Sequence, residues 1–109
     1  AIILTSQFSA STSETFAATA KLLDNFTLMG LKTYGATGNN CRVYLSDGSA
    51  YSLSVEQSFT PDKQPIWNHG VQPDIEMWTT PEDLLNGEDT VLNAAIETLQ
   101  RQIKERTGE

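Results

Sequence analysis

The chain has 109 residues, enough for one modest domain with a core of its own. It carries 7 Lys and Arg against 14 Asp and Glu, a formal net charge of -7. So acidic a chain, with no basic patch, repels phosphate backbones and anionic membrane surfaces, and nucleic acid is not an expected partner. No apolar stretch approaches the length of a membrane span. No signal peptide is visible, and the chain opens on Ala1 rather than Met. Cys41 is the single cysteine, so an internal disulfide is excluded, and with one histidine no metal or other cofactor is expected.

The first predicted element is a strand, "AIILT" (Ala1–Thr5), short, β-branched and continuously apolar. That composition suits a strand covered on both faces, as in a parallel sheet. A helix is predicted from Thr12 to about Asn25, with Phe16, Ala17, Ala20 and Leu23 as its apolar stripe. "TLMG" (Thr27–Gly30) reads as a second strand, which makes a βαβ unit. Residues 31–40 form a loop rich in Gly and Asn. "CRVYL" and "AYSLSVE" then flank "SDGS" as a hairpin turning at Asp47-Gly48. "TPDK" (Thr60–Lys63) is a turn, and "QPIWNHGVQPDIEMW" is extended but irregular because of Pro65 and Pro73.

Two helices close the chain. Thr80 caps the first, with Pro81 at its first position and Gly87 as its stop signal. The second starts near Asp89, with Leu92, Ala95, Ile96, Leu99 and Ile103 as its apolar stripe and cations near its end. The fold class is therefore α/β, a single domain of residues 1–109. A chain that opens on a fully covered strand lacks the strands that should flank it. We expect it to be a fragment of a larger domain, or to be completed by another chain through its exposed strand. A complete small interaction domain is the alternative.

The stretch "FSASTSETF" (Phe8–Phe16) lies between the first strand and the first helix. Ser11 and Glu14 have the S-x-x-E spacing of a capping box, and spacing alone favours that structural reading. The same place has chemical potential. It is the carboxyl end of a strand, where open α/β sheets put their sites, and the first-turn N–H groups are unpaired. A serine there has an oxyanion site beside it but still needs a base.

Six pieces in order resemble the C-terminal half of the catalytic core of the carboxyl-terminal processing (tail-specific) serine peptidases. They are Ala10–Glu14 (an A-S-x-S-E motif), Met29-Gly30, Thr33-Tyr34-Gly35, Leu45–Ser49 (L-x-D-G-S), Thr60-Pro61-Asp62, and Gly70–Ile75 followed by Thr80–Asp83 with Asp89. The resemblance implies a ClpP/crotonase-like core and endopeptidase activity, with a peptide or protein C-terminus as substrate. It also implies a cell-envelope, periplasmic or extracellular setting. It makes Ser11 the nucleophile and the backbone N–H of Thr12 an oxyanion donor. Ser9 and Ser13 stay structural, and Glu14 keeps its capping role.

One departure matters. Many members carry a lysine base in T-F-G-K-G, and Ala36 stands in its place here. Lys32 precedes the loop and reads as a surface residue. The family's other branch takes a histidine from the N-terminal half of the domain, which this sequence does not contain. His69 is the only histidine present and thus the only imidazole base on offer, although a solvent-facing loop histidine is the plainer reading. Asp74 reads as an acceptor for turn backbone, and Trp67 and Trp78 as groove-lining or buried aromatics. With Ala36 in the lysine's place, the alternative function is an inactive relative serving as a peptide-binding or scaffold module.

Overall fold

β1 (Ile2–Thr5) and β2 (Thr27–Gly30) pair in parallel, with Ile3 opposite Leu28 and Thr5 opposite Gly30. The computed structural model describes residues 1–108. Helix α1 (Thr12–Ala20) connects the two strands, so the expected βαβ unit is present. A third strand, β5 (Ile75–Glu76), adds to β2 in parallel, giving the order β1-β2-β5. The sequence predicts this segment as extended but irregular. Only two residues form the strand, directly after Pro73, too few for any periodicity.

The core lies between α1 and the sheet. Ala17, Ala18 and Ala20 pack with Leu28, Ile66 and Val71, and Ile3 and Phe26 lean against them. Alanines on the helix face let its backbone approach the strands closely. Gly30 does the same for the strand pair. A Cβ there would sit 2.0 Å from the Thr5 carbonyl oxygen, which accepts the Leu31 N–H at 3.0 Å. Helix α3 (Thr90–Thr107) packs against β1 and β2.

One boundary and three expectations about burial are corrected. α1 ends at Ala20, not near Asn25, and residues 21–25 turn instead. Phe16 and Leu23, assigned to its buried stripe, are exposed, and Ala18 takes their place. β1 is not covered on both faces, since Leu4 is exposed and no strand pairs with its outer edge among the described residues. Of the α3 stripe only Ala95 is buried; Leu92, Ile96 and Ile103 are exposed. Periodicity finds the apolar face of a helix, not whether anything covers it.

The rest projects from this nucleus. β3 (Asn40–Tyr44) and β4 (Ala50–Ser54) form the hairpin, with Cys41 opposite Leu53 and Val43 opposite Tyr51. Those four side chains share one face, yet Leu53, Tyr51 and Cys41 are exposed. The Ser49 hydroxyl and N–H bond the Asp47 carboxyl at the turn and hold its pKa below the usual value. Helix α2 (Pro81–Leu85) is capped by Thr80 as predicted, and Asp89 caps α3 by accepting from the Leu92 N–H at 3.0 Å. The radius of gyration is 18.1 Å, against about 13 Å for a compact chain of this length. No helix among the described residues is long and apolar enough to cross a membrane.

Candidate active site

Ser11 stands at the junction of β1 and α1, in the N-cap position of the helix. Its backbone has φ 58° and ψ -125°, a region that residues with a side chain rarely adopt. The hydroxyl makes no capping hydrogen bond. The expected capping box of Ser11 and Glu14 is in place, and the Ser11 N–H donates to Glu14 Oε2 at 3.1 Å. The Ser11 side chain stands toward the Glu14 N–H in the same capping-box arrangement, without a well-formed hydrogen bond to it. Holding a serine in this geometry costs about 1–3 kcal/mol, so the surroundings must enforce it.

Glu14 is what enforces it. It is 0% exposed, and four donors converge on its carboxyl group: Ser11 N–H, Thr33 Oγ1 and Gly35 N–H (both 2.6 Å), and Ala36 N–H (2.8 Å). No cation pairs with it among the described residues. Thr33 Oγ1 gives its hydrogen to Glu14 and accepts the Val71 N–H at 2.7 Å. One carboxyl thus ties the S-T-S-E turn, the T-Y-G-A loop and the G-V segment together. Gly70 lets the last of these close in, since a Cβ there would lie 2.3 Å from the Thr33 carbonyl oxygen. Sequence reading gave Glu14 only its capping bond. Its wider role and that of Thr33 had no local signal, because their partners lie 19 to 22 residues from Glu14.

The other candidates divide around this hub. The Ala36 carbonyl accepts the Ser11 N–H at 2.9 Å, so the position where relatives carry lysine lies directly against Ser11. Its methyl group accepts no proton. The Thr12 N–H is first in the helix, directly after Ser11 in the chain, and makes no hydrogen bond among the described residues. Ser9 is occupied structurally: its Oγ accepts the Ser6 N–H, and its carbonyl accepts the Tyr34 N–H at 2.9 Å. Ser13 is exposed.

His69 is not joined to Ser11. Its Nδ1 lies 2.9 Å from the Trp67 carbonyl, to which it donates, and its ring lines a separate groove with Lys32 and Lys21. Lys32 is exposed, as its sequence position suggested. Asp74 accepts not from turn backbone but from the Leu28 N–H of β2 at 2.8 Å, and it pairs with Lys21 at 2.8 Å. Burial works to raise the Asp74 carboxyl, but the Lys21 bond, the Leu28 N–H and the Lys21 charge together hold it below its ordinary value. Trp67 and Trp78 are both exposed, which removes the buried-aromatic reading. No cluster among the described residues could hold a metal ion.

The chain is similar to known proteases along nearly its whole length. The chain is 35% identical over 97% of its length to a protein of Sulfurisphaera tokodaii named a Tricorn-like protease C-terminal subunit, of which it spans 13%. It superposes on the crystal structure of the tricorn protease with a TM-score of 0.85 at 26% identity, covering 94% of this chain and 10% of that one. The photosystem II D1 C-terminal processing protease matches with a TM-score of 0.61 at 32% identity, over 70% of this chain and 20% of that one. The α/β core is thus the one these peptidases share. The model of peptidase family S41 matches residues 1–77, and the chain belongs to that family.

Proposed function

We propose that Ser11 is the nucleophile of a serine peptidase of the C-terminal processing type, and that residues 1–109 are the nucleophile-bearing part of its catalytic core. The observation that carries this reading is the state of Ser11. Its hydroxyl makes no capping hydrogen bond, its φ is 58°, and the N–H of the next residue, Thr12, is unbonded among the described residues. A plain helix cap needs none of these. Ser11 Oγ attacks a peptide carbonyl carbon, and the Thr12 N–H receives the developing oxyanion. The serine proton passes to a base and then to the leaving amine as the C–N bond breaks; water releases the acyl group. The base comes from outside this chain, because Ala36 and His69 do not supply it. The substrate, by likeness to the D1 processing protease, is a protein C-terminal region.

Ala36 favours a second reading, in which the same core binds peptide without cleaving it. Turnover separates the two. The full-length protein, given an unstructured protein substrate, should shorten it from the C-terminal side, and Ser11→Ala should reduce the rate by about 1,000-fold or more. A folded full-length protein with no turnover supports the scaffold. The isolated chain should be inactive or nearly so, since a serine without a base is a weak nucleophile.

A further inference from the structure

A groove of about 540 Å³ opens between the C-terminal end of α1, the 60–64 turn and the 68–72 segment. Its base includes the buried pair Gly70 and Val71. Its lining inverts the charge of the chain. Lys21 and Lys32 line it with one acid, Asp62, whereas the whole chain has 7 basic residues to 14 acidic ones. Lys21 shares its charge with Asp74, and Asp62 accepts the Thr60 hydroxyl of its own turn at 2.6 Å. Lys32 has no carboxylate partner among the described residues, and neither do the side-chain amides of Gln64, Asn68 and Gln72 around it have a hydrogen bond.

The groove is built, and it is tied to the nucleophile. Three non-glycine residues among the described ones have positive φ: Ser11, Lys63 and Asn68. Asn68 lines the groove and Lys63 lies in the turn that walls it. Such backbone needs surroundings that enforce it, and it collects at functional sites. The Asn68 N–H donates to the Gly35 carbonyl at 2.8 Å, and the next carbonyl, that of Ala36, accepts the Ser11 N–H at 2.9 Å. One peptide unit therefore separates the groove's turn from the serine, a backbone distance within about 10 Å, which about three residues of extended peptide cover.

We infer that this groove binds a carboxylate of the substrate polypeptide, about three residues beyond the scissile bond, with Lys32 as the pairing cation. The inference rests on Ser11 being the nucleophile and on the substrate being a protein C-terminal region. A carboxylate there meets the Lys32 ammonium and amide N–H donors that have no other partner. A cationic side chain meets like charge, and an apolar one takes water from the amides and returns no hydrogen bond. Either the chain-end carboxylate or an Asp or Glu side chain supplies the group.

The test uses the full-length protein. One mapped cut in casein, an unstructured substrate, supplies the sequence of synthetic peptides that end three residues past it. They end as the free acid, as the amide, or as amides with aspartate or asparagine last. The free acid should be cut with a kcat/KM about threefold to tenfold above its amide, a margin that shrinks as salt is raised. An equal gain of the aspartate amide over the asparagine amide means that any carboxylate serves; no such gain means that the groove reads the chain end. Lys32→Glu should erase the margin and Lys32→Arg should keep it, both with unchanged labelling of Ser11 by a fluorophosphonate. Equal rates within both peptide pairs in the wild type, with Ser11 labelled, overturn the groove and leave the nucleophile standing. No Ser11 adduct overturns both.

Discussion

At the scale of single residues, the site is built around a conflict that Glu14 resolves. Ser11 occupies a strained backbone region, and the carboxyl of Glu14 pays for it by binding Ser11 N–H together with the loop at 33–36. Ser11→Gly relieves the strain and loses no cap bond, so it should stabilise the protein by about 1 kcal/mol, read as a higher melting temperature, while removing the nucleophile. Glu14→Ala takes the acceptor from Thr33 Oγ1 and from the Gly35 and Ala36 N–H groups; it should cost about 3 kcal/mol or more in denaturant unfolding. Glu14→Gln, which turns an amide N–H₂ toward one donor, should cost about 1–3 kcal/mol. The serine and glutamate were both legible in "STSE". The role of the glutamate was not, because three of its four donors come from a loop whose approach is a tertiary event.

At the scale of elements, local signals and their limits are visible side by side. The D-G turn, the Thr80 and Asp89 caps and the strand-helix-strand order are all set by neighbours in sequence, and all could be read. β5 and the exposure of Phe16 depend on distant packing, and could not. The link between α1 and β5 is carried by Lys21 and Asp74: Lys21 Nζ pairs with Asp74 and donates to the Gln72 carbonyl at 2.9 Å. Because folding lowers the Asp74 pKa, its contribution is complete above the ordinary carboxylate range and is lost as the pH falls through the lowered value. Asp74→Asn should therefore cost about 1 kcal/mol near neutral pH, discounted for partial exposure, and cost progressively less in acid below about pH 4. Unfolding curves of both proteins at several pH values check this. Gly30→Ala, with its Cβ 2.0 Å from the Thr5 carbonyl, should force β1 and β2 apart and abolish cooperative unfolding.

At the scale of the whole molecule, the distribution of apolar surface stands out. The free edge of β1, one face of the hairpin and one face of α3 all present large apolar side chains to solvent. A two-stranded hairpin is marginal without a covering layer. These surfaces fit the proposal that further polypeptide completes the core, and they predict behaviour in its absence. The 12.0 kDa chain alone should self-associate, and Ile3→Lys with Leu4→Lys on the open strand should reduce its light-scattering mass toward the monomer. The central claim is the nucleophile itself, and covalent labelling tests it most directly. The full-length protein is reacted with a fluorophosphonate, and the adduct is mapped by mass spectrometry. The account predicts one adduct, on Ser11, absent in Ser11→Ala. A folded protein that forms no adduct, or forms it on Ser9 or Ser13, would contradict it.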